Sequence, residues 1–306
     1  MSRSRPRLSV TVGTLELSGP VMTAAGTSGH GAELAAYGPL GELGAVVVKS
    51  LSADPWPGNP APRLRPTSTG MINSVGLQGP GLRAWIADDL PALRAAGATT
   101  VVSIWGRSVE DFARAAELLA GVEVAAVELN VSCPNLEDRS RMFAHSAQAT
   151  AEVVGATSSL GVPRWVKLSP NTSELTEIAA AAVAAGADGL VVANTVLGMV
   201  IDIEERRPAL GNGGGGLSGP GIHAVAVRAI FETHAALPET PIIGVGGISS
   251  GDDAIEMVMA GASAVQVGTA SLAEPRAPWR IQAEIRRWLE RHDVESLAEV
   301  RGVAHG

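Results

Sequence analysis

The chain has one cysteine, and it follows directly on what reads as a buried strand. Residues 124–130 are apolar except for Glu128, and they run into Asn130-Val131-Ser132-Cys133-Pro134-Asn135. A buried strand that ends in polar side chains is where a parallel α/β protein places its chemistry. Cys133 then has three readings. A lone cysteine is most often buried and inert. A redox sensor wants a resolving partner, and the sequence has no second thiol. The third reading is a catalytic base or nucleophile. Asn130 and Ser132 beside it offer hydrogen bonds and Pro134 fixes the turn, which favours this one. A free thiol titrates near ~8.5, so modest help makes it a base at neutral pH.

Other polar residues recur after apolar runs: Lys49, Ser103, Asn130, Lys167, Asn194-Thr195, Gly246-Gly247 and Gly268-Thr269. The last two pairs expose backbone N–H groups ahead of a helix, and helix N-termini attract anions. Such turns after strands seven and eight of a (β/α)8 barrel form its usual phosphate site. A phosphate grip facing amide-rich strand ends suggests a flavin mononucleotide (FMN) across the mouth. The small-residue turn 25–29 would let a flat ligand approach the backbone. Lys167 can sit at the electron-accepting end of the flavin ring, or it can hold a substrate phosphate.

These positions need a barrel behind them. Residues 8–12 and 15–17 alternate around Gly13-Thr14 as a hairpin that could close its bottom. Strands are expected at 21–24, 45–48, 100–104, 124–130, 164–168, 189–193, 241–245 and 264–268. Helices are expected at 32–40, 80–96, 109–119, 147–158, 173–185, 222–234, 250–259, 279–291 and 294–300. Two long insertions, 52–78 and 194–219, interrupt the alternation. The first carries a possible small hairpin, 63–67 with 70–74, and the second a flexible run, 213–216. About eight βα units with no linker predict an α/β fold, one (β/α)8 TIM barrel over residues 1–306. A doubly wound sheet would want an acidic residue after its second strand, where Lys49 stands.

With 306 residues, 46% of them hydrophobic, the chain can bury a large core, yet no apolar run reaches the ~20 residues of a membrane span. The basic start MSRSRPR precedes an alternating stretch rather than the apolar core of a signal peptide. A net charge of −8, with no basic stripe bearing aromatics, argues against nucleic acid as a partner. One cysteine excludes an internal disulfide and an all-cysteine iron–sulfur site, and fits a reducing cytoplasm. The six histidines show no ligand spacing, so no metal is expected.

LNVSCPN (129–135) resembles the catalytic loop of the class 1 dihydroorotate dehydrogenases. Stretches similar to that family follow in the same order along nearly the whole chain. They are KSLSADPWPGNPAPR (49–63), GMINSVGLQGPG (70–81), NTVLGMVIDIEERRPALGN (194–212), GGLSGP (215–220), GVGGI (244–248) and VQVGTA (265–270). The 194–220 insertion is more similar to the heteromeric class 1B than to class 1A. The resemblance implies an FMN barrel that oxidises dihydroorotate to orotate in pyrimidine synthesis. Cys133 would take the proton from C5, and hydride would pass from C6 to flavin N5. Lys49, Asn73, Ser74, Val75, Gly76, Leu77, Asn130, Asn194 and Thr195 would hold the substrate. Ala25, Lys49, Ser50, Asn130, Lys167, Ala193, Gly219, Gly246, Gly247, Gly268 and Thr269 would contact FMN. Ser103 would stand where the family offers the flavin an asparagine. The resemblance also implies a homodimer and a partner subunit with FAD and a [2Fe–2S] cluster that passes electrons to NAD.

The chain departs from the family pattern in three places. LEDRSRMFAHS follows the CPN motif in place of a glycine pair before an aromatic, Ser103 replaces the asparagine, and Trp105 is bulky. A related flavin enzyme for another dihydropyrimidine or cyclic amide is therefore a competing reading. A barrel that has lost catalysis is a third.

Overall fold

The protein is described here by a computed structural model covering residues 5–132 and 142–306, so Cys133 lies outside the described residues. Eight parallel strands follow one another along the chain: β1 (Val21–Thr23), β2 (Val46–Val47), β3 (Thr100–Ile104), β4 (Ala126–Asn130), β5 (Arg164–Lys167), β6 (Gly189–Val192), β7 (Ile242–Val245) and β8 (Ala264–Val267). Their order in the sheet is β1-β8-β7-β6-β5-β4-β3-β2. A parallel bridge between Met22 and Ala45, with Gly44 N–H donating to Val21 O at 2.8 Å, joins the two edges. This is the expected (β/α)8 barrel.

Strand side chains alternate between faces, and the buried residues divide accordingly. Val47, Val101, Ala126, Trp165, Val191 and Ile243 form one apolar cluster inside the barrel. Val102, Val127, Leu129, Val166 and Leu190 belong to a second, larger cluster between strands and helices. The amino-terminal hairpin, Val10–Val12 with Leu15–Leu17, adds Val12 and Leu17 to the inner cluster. Gly13 at its turn lies against the backbone oxygen of Asp188, just ahead of β6, so the hairpin plugs the bottom as expected.

Several elements differ from the sequence reading. The expected helix 80–96 is two helices, Leu82–Asp88 and Leu90–Ala95. Pro91 has no N–H to continue a helix but suits a first turn, so a new helix starts around it. The expected helix 32–40 is reduced to two 3-10 turns, Glu33–Ala36 and Leu40–Glu42, with Gly38 and Pro39 between them. Residues 294–300 hold only the 3-10 turn Leu297–Glu299. The run 213–216 is not a free loop, because Gly215–Ser218 is a strand. It pairs with Val196–Gly198 and with Gly70–Asn73, which in turn pairs with Leu64–Thr67. The two long insertions thus join in one four-stranded antiparallel sheet. Glycine is required in it: a Cβ on Gly216 would lie 2.0 Å from Thr195 Oγ1. Since these insertions follow β2 and β6, the small sheet stands over the carboxyl ends of the barrel.

Candidate active site

Inside the barrel, polar side chains replace the apolar ones toward the carboxyl ends of the strands. Ser103 lies opposite Glu128, and Asn130 opposite Lys167, in the strand register. Glu128 is fully buried and is the centre of the cluster. Its two carboxylate oxygens accept from Ser103 Oγ at 3.0 Å and from Gln266 Nε2 at 2.8 Å. Lys167 Nζ stands 3.8 Å from the same carboxylate. Ser103 Oγ is also 2.9 Å from Ser50 Oγ, which accepts from Asn130 Nδ2 at 3.1 Å. Asn194 Nδ2 reaches Asn130 Oδ1 at 3.5 Å. Ser50, Ser103, Asn130, Lys167 and Asn194 are therefore brought together at one level of the barrel mouth.

Lys49 and Lys167 both point their chemistry at this mouth. Neither ammonium group has a hydrogen-bond partner among the described residues. Lys167 has the Glu128 carboxylate at 3.8 Å, whereas Lys49 has no acceptor among the described residues, and a largely buried ammonium of that kind is costly unless a ligand completes it. Burial, and secondarily the guanidinium of Arg63, lowers the Lys49 pKa below the ordinary lysine value.

The insertion after β2 carries a loop with N–H groups that are not taken up by the described residues. Asn59 N–H donates to Val75 O at 3.0 Å, Asn59 Nδ2 to Ser74 Oγ at 3.0 Å, and Trp56 Nε1 to Gly76 O at 3.0 Å. Asn73 Nδ2 donates to Gly216 O at 3.3 Å. These bonds hold the carbonyls back, while the N–H groups of Val75, Gly76 and Leu77 donate to no protein acceptor among the described residues. Gly76 and Leu77 have φ of 73° and 60°. Successive free N–H groups in such a turn make a concavity for an anion. A left-handed leucine is uncommon and marks a conformation that its surroundings enforce.

Thr195 N–H donates to Asn194 Oδ1 at 2.8 Å, and its side chain lies against Gly216. Across the mouth, the N–H groups of Gly246, Gly247, Gly268 and Thr269 are likewise without protein acceptors among the described residues. His223 Nδ1 is 3.1 Å from Gly246 O and holds that carbonyl toward the helix His223–Ala236. Gly219 joins this side, since a Cβ on it would come within 3.6 Å of Thr269 Cγ2. Ala25 packs against the inner cluster, and Ala193 N–H donates to Val245 O at 2.9 Å. Gly247 has φ of +73°, and a Cβ there would lie 2.7 Å from His223 Cβ. Gly247→Ala is expected to cost more than about 1 kcal/mol of stability. The melting temperature of the purified variant checks this.

Comparison with known proteins decides the family. A model described as dihydroorotate dehydrogenase matches residues 7–289. The chain is 44% identical over 300 residues to "Dihydroorotate dehydrogenase B (NAD(+)), catalytic subunit" of Alkaliphilus metalliredigens, covering 98% of this chain and 99% of that protein. It is also 44% identical over 300 residues to the protein of the same name in Geobacter metallireducens, covering 97% and 98%. The chain belongs to the dihydroorotate dehydrogenase family. It is an oxidoreductase, and members of that family work with a flavin.

For a dihydroorotate dehydrogenase the mouth is suitably furnished. The N–H groups after β7 and β8, which meet no acceptor among the described residues, suit a phosphate, and Lys167, held only by Glu128 at 3.8 Å, suits an electron-rich ring. A Cβ on Gly26 would meet no atom within 4 Å, so the turn after β1 leaves space for a flat group. Two members of the site went unread in the sequence. Glu128 and Gln266 sit inside otherwise apolar strands, where a single polar residue looks like noise. The signal was parity: Glu128 is two residues before Asn130, hence on the same inward face. No helix of the described residues is long and apolar enough to cross a membrane. No group of metal-ligating side chains occurs among the described residues either.

Proposed function

We propose that this chain holds FMN across the barrel mouth and oxidises dihydroorotate to orotate there, with Cys133 as the base. One observation carries this reading. Two lysine ammonium groups, Lys49 without an acceptor among the described residues and Lys167 with only the Glu128 carboxylate at 3.8 Å, meet the amides of Asn130 and Asn194 opposite the glycine turns after β7 and β8. The substrate is a cyclic diamide with a carboxylate, and it needs such partners. Lys49 and the free N–H groups of Val75, Gly76 and Leu77 take the carboxylate. Asn73, Ser74, Asn130, Asn194 and Thr195 pair with the ring amides and fix its face. The proton at C5 goes to the Cys133 sulfur. When bound, FMN supplies the two-electron acceptor for the hydrogen that leaves C6. Ala25, Ser50, Ser103, Ala193, Gly219 and the turns 246–247 and 268–269 would hold the cofactor, and Lys167 would stabilise its electron-rich reduced form.

The relatives are named as catalytic subunits and with NAD, which supports a partner subunit that carries electrons onward to NAD. A chain with one cysteine cannot hold a four-cysteine cluster, so FAD and a [2Fe–2S] centre belong on that partner. We also place the chain in the cytoplasm as a homodimer. Anaerobic dihydroorotate is expected to bleach the yellow colour of the purified protein. Persistent colour would sink the substrate assignment. Affinity capture of the chain from its own cells is expected to bring down a cysteine-rich iron–sulfur flavoprotein, and its absence would count against the partner.

A further inference from the structure

We infer that Glu128 is a positioning residue for the flavin site: its buried carboxylate sets the direction of the hydrogen-bond chain ending on Asn130 and balances the charge of Lys167. This rests on the FMN reading above. It concerns a fully buried residue that is not among the expected site residues.

The direction follows from proton counting. A carboxylate only accepts. Ser103 has one hydroxyl proton, and it is engaged by Glu128 Oε1 at 3.0 Å. Ser103 Oγ must then accept from Ser50 Oγ, 2.9 Å away. The Ser50 proton is thereby engaged, so Ser50 accepts from Asn130 Nδ2 at 3.1 Å. Asn130 is left with its nitrogen toward the floor and its Oδ1 turned to the side where Asn194 Nδ2 approaches at 3.5 Å. On the other oxygen, Gln266 also has one arrangement, Nε2 donating at 2.8 Å, although this leaves its buried Oε1 without a hydrogen-bond partner among the described residues. With a neutral group at 128, both the chain and Gln266 could reverse, and Asn130 would present donors where it now presents an acceptor.

The charge effect has a definite sign. Lys167 and Glu128 are both almost fully buried, so their field is weakly screened. The ammonium favours the electron-rich, reduced form of a bound flavin, and the carboxylate 3.8 Å away offsets part of that field. Removing the negative charge while keeping the shape should therefore make the flavin easier to reduce.

The test is potentiometric titration of FMN-loaded variants. Glu128→Gln should retain FMN and raise the midpoint potential, with a tenfold or larger gain in the reduction equilibrium constant, about 30 mV for a two-electron couple. Glu128→Asp, which keeps the charge, should return the potential toward wild type. Lys167→Met should move it the other way. If Glu128→Gln does not hold flavin, the double variant Glu128→Gln/Lys167→Met is compared with Lys167→Met alone, and its potential should be the more positive. Both buried charges are absent from the double variant, so it avoids the unpaired charge that makes single removals disruptive. An unchanged or lowered potential in Glu128→Gln, or in the double variant relative to its parent, overturns the inference while leaving the FMN reading intact. A wild-type protein that binds no FMN overturns both.

Discussion

Replacing Cys133 with alanine is expected to leave flavin bound and to slow its bleaching by dihydroorotate by about 10²–10⁴-fold, the range a general base contributes. The geometry on either side of the thiol says why the two properties separate. Ser132 Oγ donates to Lys167 O at 3.1 Å, and Val131 O accepts from Ala144 N–H at 2.9 Å. The chain therefore leaves β4 at a fixed point beside Lys167 and returns to the same strand end. The glycine turns after β7 and β8, proposed to hold the FMN phosphate, are on the other side of the barrel and keep their donors when the thiol is removed. Serine at position 133 should also be slow, because a hydroxyl gives up its proton far less readily than a thiol. Its rate should gain more from rising pH than the wild-type rate does. Stopped-flow reduction under anaerobic dihydroorotate measures both variants. Reduction of the alanine variant near wild-type speed would remove Cys133 from the base role.

Much of this site could be read before any fold was known, for one physical reason. A parallel barrel strand is apolar on both faces, so a lysine or amide at its end interrupts a clear pattern. Lys49, Asn130, Lys167 and Asn194 are such interruptions. Glu128 and Gln266 interrupt as well, but in the middle of their strands, where a polar residue needs a partner from another strand to be tolerated. Those partners, Ser103 and each other, are 25 and 138 residues away in sequence. No local rule reports a contact of that range. The insertions failed for a related reason. Glycine in 213–216 signals freedom in isolation, whereas here it permits the close approach of Thr195 and Asn73. The split of residues 82–95 into two helices was visible in Pro91 alone, and apolar periodicity running across it concealed the break.

Lys49→Met should separate stability from function. Below the lowered pKa of Lys49, the folded protein holds a charge in a largely buried position without a protein acceptor among the described residues. The folded-state pKa lies below the unfolded one, so in the interval between them the unfolded chain binds more protons and stability rises with pH. Below that interval the full penalty is present, and methionine removes it. The melting temperature should therefore rise, or at least hold, as it does when a strained functional group is relieved. Binding should go the other way. Truncating one partner of a buried, hydrogen-bonded charge pair costs about 2–5 kcal/mol, so affinity for the product orotate should fall roughly 30-fold or more. In the wild type, orotate affinity should weaken as pH rises toward the lowered Lys49 pKa, at a lower pH than an ordinary lysine would give. The methionine variant should lack that limb. Calorimetry for the melting temperature and flavin-perturbation titrations with orotate across pH read the two effects in one preparation. A variant that binds orotate as tightly as wild type would take the substrate carboxylate away from Lys49.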